Sequence, residues 1–480
     1  MIVFVMAGLP LLAAGISALV PRRVGSAVTC ASSVAAAALA LEIARIVVER
    51  GALIVLPGWI EVDGLGALIV VLVSLVGVTT SLFSWGYMAG HETGGSPAAY
   101  FANFNLFLFS MLAVPVLAEP NVTWIAVEHT TLLSVFLVAF EGTRAALEAS
   151  WKYVVLTLSG AAVALLGFLL LYAVYQGAGG TGHYTWQALL RAAPRMDPSL
   201  ALLAFLLVLV GLGTKVGLAP LHTWLPDAHS QAPSPVCALL SGVETSAVLY
   251  VILRLLPVLR AVPGSGADRW AEGAGLLSAV VAAFLLLQVS DYKRLFAYST
   301  VEHMGIILFG AALATSATGF AASFQLVTYA FTKSFCFLAA GMVLTATGTT
   351  RVDHVRGLTR RSPIAAGALL LGALAIGGAP PFAVFLSELT LIRGGLAAGD
   401  YLSVAALVGV LGLAFIGILV PLHRMAFSGS PDEDETRHRS LPRTCVAAVA
   451  LAAIPVLVLG VYVPPPVHAL LARAAALVAR

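Results

Sequence analysis

Charge is what this 480-residue sequence has least of: 26 Lys and Arg with 23 Asp and Glu leave 10% of the chain charged, against roughly 25% in soluble domains. At 60% hydrophobic residues, the soluble globular classes are excluded and a bilayer is implied. Cysteine is nearly absent as well. The four, at 30, 237, 336 and 445, are scattered through apolar segments without metal-ligand spacing and read as small buried hydrophobes. No cluster of Cys or His suits iron–sulfur or haem, and no glycine-rich nucleotide fingerprint occurs. The chain is therefore expected to carry no cofactor and no metal, and to have no catalytic centre of its own. The net charge of +3 gives no reason to expect a nucleic-acid partner. A basic leader and an A-x-A-like cleavage site are missing around the first apolar run, so it reads as a retained helix.

What the sequence does have is apolar runs of the roughly 20 residues that cross a bilayer. Fourteen are expected, at about 1–20, 24–48, 60–85, 101–118, 122–142, 152–175, 198–221, 233–257, 273–290, 295–316, 320–346, 364–392, 401–422 and 442–463. Short separators carry breakers or charges: PRR at 21–23, HETGGSP at 91–97 and SGSPDEDETRHRSLPR at 428–443. The expected fold class is an all-α polytopic membrane protein, one integral domain over 1–480. Two stretches of five spans, about 101–257 and 273–422, are flanked by helices in 1–85 and 442–480. The tail with Arg473 and Arg480 is expected to lie along the interface or to cross poorly.

Lys and Arg orient this topology. With the N-terminus outside, fourteen of the 26 fall in inner loops, Arg437 and Arg439 among them, and eight in outer loops and the tail; the bias favours both termini outside. The remaining four, Arg45, Lys215, Arg254 and Lys333, fall inside spans. Arg45 and Arg254 lie near span ends, where snorkelling accounts for them. The two lysines are left to explain.

An ionisable group in hydrocarbon costs several kcal/mol unless it pairs, faces water or gives up its charge. Six lie within expected spans: Glu128, Lys215, Glu244, His303, Lys333 and Glu388. Such a series of acids, lysines and a histidine, each able to hold or release a proton, reads as a proton relay. The bland alternatives are a static Glu128–Lys215 ion pair, a neutral core histidine at 303, and static polar contacts for the others.

The stretch GTKVGLAPLHTWLPDAHSQAPSP at 213–235 adds a second signal. Pro220 and Pro226 interrupt the end of the seventh span, as Pro380 and Pro381 interrupt the twelfth, because proline removes a backbone donor and clashes with the preceding turn. The strings GLAP at 217–220 and GGAP at 377–380 stand at corresponding places in the two five-span stretches. Broken helices in matching positions point to an ion site at a repeat interface. His222, Asp227 and His229 are then expected to cap the break or line a channel mouth, and a merely kinked structural helix is the alternative.

The segments KVGLAPLHTWLPDAHSQAPSP at 215–235 and DYKRLFAYSTVEHMGIILFG at 291–310 resemble the antiporter-like, proton-translocating subunits of complex I, cation/proton antiporters and membrane-bound hydrogenases. The resemblance spans nearly the whole chain. PSPVCALLSG, EHMGI at 302–306, GTRAALEASWKYVVL at 142–156 and PPFAVFLSE at 380–388 are most similar to component F of hydrogenase-4 and formate hydrogenlyase type complexes. The resemblance implies fourteen core helices, two inverted five-helix repeats and broken helices 7 and 12. It further implies that Glu128 and Lys215 form the switching ion pair, that His303 and Lys333 lie on a central hydrophilic axis, and that Glu388 is its terminal acid. One departure stands out: complex I relatives offer a lysine four residues before a tyrosine on the eighth helix, where this chain has Ser246 before Tyr250, with Glu244 nearby.

The leading expectation is an ion-translocating subunit of a redox-driven complex in a bacterial or archaeal cell membrane. Its expected partners are other integral membrane subunits, a peripheral hydrogenase or dehydrogenase arm, membrane lipid, and H+ or Na+. A complex I pump, a secondary Na+ or K+/H+ antiporter subunit and a structural scaffold are the competing classes.

Overall fold

The structure, a computed structural model, describes residues 1–90, 95–429 and 440–480. Part of the expected 91–97 loop and most of the charged 428–443 segment, with Arg437 and Arg439, lie outside the described residues. In hydrocarbon every backbone polar group must be satisfied within its own segment, and the apolar runs accordingly form helices. These begin α1 (Ile2–Leu19), α2 (Arg22–Arg50), α3 (Gly64–Tyr87), α4 (Pro97–Ala113), α5 (Pro120–Val138) and α6 (Arg144–Gly177). The short α7 (Trp186–Ala192) precedes α8 (Pro198–Val216), α9 (Leu225–Gln231), α10 (Ser234–Leu239) and α11 (Thr245–Arg260). Then follow α12 (Ala267–Leu286), α13 (Tyr292–Ala312), α14 (Ser316–Thr347), α15 (Leu358–Arg361), α16 (Pro363–Ile376), α17 (Ala383–Ala397), α18 (Tyr401–Phe427), α19 (Arg443–Val461) and α20 (Pro465–Val478). Among the described residues thirteen helical segments are long and apolar enough to span, α10 and α11 counting as one; the expected span at 364–392 is occupied by two shorter helices, α16 and α17.

Starts are written locally. Thr143, Asp197 and Asp291 accept hydrogen bonds from the backbone N–H three residues on, and Thr315 with Thr318 forms a capping box. Proline occupies a first-turn position of α4, α5, α8 and α16, where its missing N–H costs nothing. The same rule corrects one expectation: Pro226 stands in the first turn of α9 and starts a helix rather than breaking one.

Helices approach closely where side chains are smallest. A Cβ on Gly160 would lie 2.7 Å from Gly211 O, joining α6 to α8, and one on Gly275 would lie 2.6 Å from Gly305 O, joining α12 to α13. The α10–α11 segment, α13 and α14 are enclosed almost completely, while α1, α18 and α19 turn most of their surface outward. Glu244, His303 and Lys333 are thus carried on helices that the others surround.

Two expectations are revised at the surface. The span placed at 60–85 starts at Gly64, because Leu53–Leu56 and Ile60–Val62 pair as an antiparallel hairpin with Leu53 opposite Val62. Arg254 does not snorkel: its guanidinium donates to Asp63 (2.6 Å) and Tyr250 Oη (2.6 Å), lying over the Trp186 and Tyr250 rings. Arg45, by contrast, is exposed and held between Glu42 and Glu49 on its own helix. The tail helix α20 packs against α14, α3, α2 and α11, burying Leu471, Ala474 and Val478, with Arg473 donating to Val48 O of α2 (3.1 Å).

Asp63 also caps α3 by accepting from Gly66 N (3.0 Å). Asp63→Ala should therefore remove a cap and leave Arg254 buried without its carboxylate, lowering stability by about 3–5 kcal/mol. Glu42→Ala should leave the melting temperature in detergent unchanged, and equal melting shifts for the two variants would defeat this assignment.

Candidate functional site: a buried polar axis between two helix breaks

The first break begins where α8 ends. Gly217 takes φ 87°, a left-handed conformation that glycine alone adopts freely, and the chain runs through Pro220 to Trp224 before α9 begins. Trp224 Nε1 donates to the freed Thr214 carbonyl (2.7 Å), and Ser278 Oγ accepts from Ala219 N (3.0 Å). Lys215 sits in the last turn of α8, where the helix dipole favours a cation.

Its side chain is 2% exposed. The ammonium donates to Val127 O (3.0 Å) and to Thr131 Oγ1, and lies 3.4 Å from Glu244 Oε1. That carboxylate also accepts from Thr130 Oγ1 (2.9 Å) and Tyr153 Oη (3.2 Å). The acid paired with Lys215 is thus Glu244, a correction to the expected Glu128–Lys215 pair. Val127 and Thr131 stand one turn apart and face the lysine, whereas Glu128 is rotated about 100° from Val127. Both Glu128 carboxyl oxygens are buried without a hydrogen-bond partner among the described residues.

Glu244 reaches inward because the backbone changes register. Residues Leu240–Glu244 form a π-helical turn between α10 and α11, a device that inserts one residue into the helical repeat and swings the following face by about 100°. Ser246 donates to Gly242 O (3.0 Å) of its own helix.

Hydroxyl groups continue from this turn. Ser241 Oγ lies 2.6 Å from Thr300 Oγ1 and 3.2 Å from Tyr329 Oη, and Thr245 Oγ1 donates to Ser241 O (2.6 Å). On α14, Gln325, Tyr329 and Lys333 are spaced four apart and share one face. Lys333 donates to Phe296 O (3.0 Å) and to Ser299 Oγ, with its ammonium 5.5 Å from the Tyr329 ring centroid. Glu302 is buried beside this group, and its Oε2 lacks a partner among the described residues.

The second break supplies the far end. α16 stops at Ile376, Gly378 takes φ 72°, and α17 resumes at Ala383. The Ile376 carbonyl, orphaned by the helix end, is met by His303 Nε2 (3.1 Å). The other ring nitrogen faces Gln325 Nε2 (3.1 Å), and Gln325 Oε1 is bonded by Ser387 Oγ. Glu388, 5% exposed, packs its carboxyl against Gly378, where any side chain would collide with it.

The expected channel-mouth residues divide. Pro220, Pro380 and Pro381 are exposed, the first and last of them following cis peptide bonds. Asp227 bridges Lys152 (3.2 Å) and Arg294 near one surface. His222 is 8% exposed, against Tyr298. His229 is corrected: it is fully buried between Trp224 and Phe337, neither ring nitrogen having a partner among the described residues. Tyr153, Gln325, Tyr329 and Ser387 were not anticipated from the sequence. For Gln325 and Tyr329 the four-residue spacing from Lys333 was an available signal. Among the described residues no group of three or more His, Cys, Asp or Glu could hold a metal.

A multi-pass helical protein with a buried, ionisable and hydrogen-bonded axis between two interrupted helices belongs to the class of integral membrane subunits that handle ions. Residues 121–414 match the family described as NADH:quinone oxidoreductase/Mrp antiporter, TM, and the chain belongs to that family as an antiporter-like membrane subunit. It is 36% identical over 414 residues to a hydrogenase-4 component F homolog of Methylacidiphilum infernorum, covering 85% of this chain and 86% of that protein. It is 31% identical to hydrogenase-4 component B of Escherichia coli, covering 82% of this chain and 61% of that protein. NADH-quinone oxidoreductase subunit N of Desulforudis audaxviator is 29% identical, covering 84% and 81%. Among solved structures, a chain of the membrane-bound sulfane sulfur reductase, an archaeal respiratory membrane complex, superposes with TM-score 0.88 at 25% identity, covering 99% of this chain and 97% of that one. A chain of the Mrp complex from Dietzia sp. DQ12-45-1b shares the fold, with TM-score 0.84 at 22% identity and coverage of 99% and 97%.

The pairing is open to a double-mutant cycle. Lys215→Met and Glu244→Met should each destabilise the protein more than the two together, with a coupling of about 0.5–3 kcal/mol, whereas Lys215→Met and Glu128→Met should couple weakly. Stronger coupling to Glu128 in thermal unfolding would reinstate the pair expected from sequence.

Proposed function

We propose that this chain is the proton-translocating membrane subunit of a redox-driven complex of the nickel–iron hydrogenase or formate hydrogenlyase type. The observation that carries the reading is the series of buried groups from the Lys215–Glu244 pair, through the Ser241, Thr300 and Tyr329 hydroxyls, to His303, Gln325, Ser387 and Glu388. Titratable groups at both ends can exchange protons, while hydroxyls between them orient water without holding charge. Lys333 and Glu302 flank the second cluster, and Glu128 adjoins the first as a carboxyl for entry or exit.

Hydrogenase-4 components among the relatives favour the hydrogenase assignment. The second reading, a complex I pump, draws on the identity with NADH-quinone oxidoreductase subunit N. Partners in either case are further membrane subunits and a peripheral redox arm, and H+ is the preferred ion over Na+. The series of lysines and histidine supports that preference, since these groups carry protons but do not ligate Na+ when charged.

The residue ranges 101–257 and 273–422 fit two five-helix repeats of inverted sense. α8 and α16 start from opposite surfaces, as an odd number of crossings per repeat requires, so their breaks approach the membrane interior from opposite sides. The excess of Lys and Arg on the surface bearing Arg22, Lys152 and Arg294 supports an inner position for that surface, with both termini on the outer side of a prokaryotic cell membrane.

In the intact complex, Lys215→Ala should abolish proton pumping while dye-linked redox activity of the peripheral arm persists. Glu244→Gln should impair pumping and Ser246→Ala should be mild, since the serine turns to its own backbone. Protons pumped per turnover in sealed vesicles decide both points. Full pumping by Lys215→Ala in a correctly assembled complex would reduce the pair to a structural contact.

A further inference from the structure

The hydrogen bonds around Gln325 define more than a tether. Ile376 O only accepts, so His303 Nε2 carries a hydrogen and donates to it. His303 Nδ1 faces the Gln325 nitrogen, which only donates, so Nδ1 holds a lone pair and the ring is neutral. The other end of the amide meets Ser387, whose hydroxyl donates to Gln325 Oε1. All four groups are enclosed: Gln325 is 0% exposed, and His303 and Ser387 are 1%.

A second arrangement of the same atoms also pairs the amide with both His303 and Ser387. With the amide turned by half a revolution, Oε1 faces His303 and can accept only from a protonated Nδ1, so the ring is an imidazolium. The nitrogen then faces Ser387 Oγ, which accepts from it and sends its own hydrogen to Val384 O (2.8 Å) or Ala383 O (3.1 Å). His303 Nε2 keeps its bond to Ile376 O throughout. One orientation fits neutral His303 and also hydrogen-bonds the Glu388 carboxyl; the other fits cationic His303 and gives up that bond to Glu388.

We infer that the Gln325 side-chain amide is a two-position switch, turning over each time His303 takes up or releases a proton at Nδ1. The inference rests on the proton-translocating reading given above. The step moves one proton and no electrons. The Nδ1–H bond forms as an N–H bond of the Lys333 ammonium on the Tyr329 side breaks, and it breaks in turn as an O–H bond forms on the Glu388 carboxylate beyond Ser387. In the resting orientation the amide N–H occupies the lone pair that the proton needs, so conduction waits on the turn. The switch thereby gates the second half of the axis without moving a helix.

The test uses the assembled complex in sealed vesicles, with co-purification of its partners confirming assembly. Gln325→Leu, which offers His303 and Ser387 nothing, should lower protons pumped per turnover by about a factor of ten or more. Gln325→Glu should pump within about twofold of the unaltered complex, because a carboxyl group accepts and passes a proton without turning. Infrared difference spectra of the complex carrying side-chain 13C-glutamine, resting against turning over, should show an isotope-sensitive amide band that Gln325→Glu removes. Pumping unchanged in Gln325→Leu overturns the switch. A pumping defect in Gln325→Leu with no such band in the unaltered complex also overturns it, leaving Gln325 a fixed tether that only orients His303, as does complete loss of pumping in an assembled Gln325→Glu. If Lys215→Ala and Glu388→Gln pump normally in the same vesicles, the failure belongs to the proton reading itself.

Discussion

An ammonium group enclosed within a membrane-spanning bundle constrains everything near it, and Lys215 is that group here. Removing each ion of a pair from water costs several kcal/mol, recovered only when geometry and additional hydrogen bonds are favourable. The surroundings of Lys215 meet that demand from four helices at once. α8 ends beside it and turns the negative end of its dipole toward the charge, α5 contributes the Val127 carbonyl and the Thr131 hydroxyl, the π-turn before α11 brings Glu244, and α6 steadies that carboxylate through Tyr153. The enclosing architecture follows. The spans bearing Glu244, His303 and Lys333 are the most surrounded, and at α8 the small-residue contact Gly160–Gly211 brings α6 close against the helix that carries Lys215.

The spans, the two helix interruptions and the six ionisable positions within spans were legible in the sequence because each depends on a cost that composition exposes. A charge in an apolar run and a proline in a helix are both conspicuous where they are expensive. Partner choice was less legible. Glu128 and Glu244 are both buried acids on spans adjoining α8, and choosing between them needs the rotation of each helix. For α5 that rotation follows from counting residues at about 100° each. For the helix bearing Glu244 it does not, because a π-turn at Leu240–Glu244 resets the count, and nothing in LSGVE announces it. Gln325 escaped for a different reason. A neutral amide in a span is cheap enough to pass as packing, and its importance comes wholly from what faces it: a histidine on one side and a serine on the other. His229 was misplaced because the segment following a helix break looks like a loop in sequence, while in the structure it folds back into the bundle as α9.

The two breaks do related work with different chemistry. Each leaves helix-end carbonyls that a continuous helix would have used, and each is answered by an aromatic heterocycle, the Trp224 indole at Thr214 and the His303 imidazole at Ile376. An indole N–H never titrates in this setting, so the first break is held shut as a fixed scaffold for Lys215. An imidazole retains a second nitrogen whose state is free to change while the first stays bound to the carbonyl. The second break is therefore tied to a group that can alter its charge without letting go of the backbone, and Glu388 is packed against the glycine of that same break. A change of charge on His303 or Glu388 acts directly on the segment between α16 and α17, whereas at the first break charge acts only through the side chain of Lys215.

Between the two clusters the axis consists of Ser241, Thr245, Thr300 and Tyr329, none of them charged. Hydroxyl groups both donate and accept, and they rotate at little cost, so the hydroxyl-to-hydroxyl links of Ser241 with Thr300 and Tyr329 can reverse direction without moving the backbone. It cannot store a proton. Charge on the Lys215–Glu244 side and charge on the Lys333–His303–Glu388 side are consequently separate stores, linked by a neutral segment whose orientation either side can bias. Coupling then requires no direct contact between the ionised groups. It requires that a proton arriving in one cluster make the hydroxyl orientation that serves the other the more stable one; Thr245 and Tyr329 are pinned as donors to the Ser241 carbonyl, so the reversible links are those of the Ser241 hydroxyl with Thr300 and Tyr329.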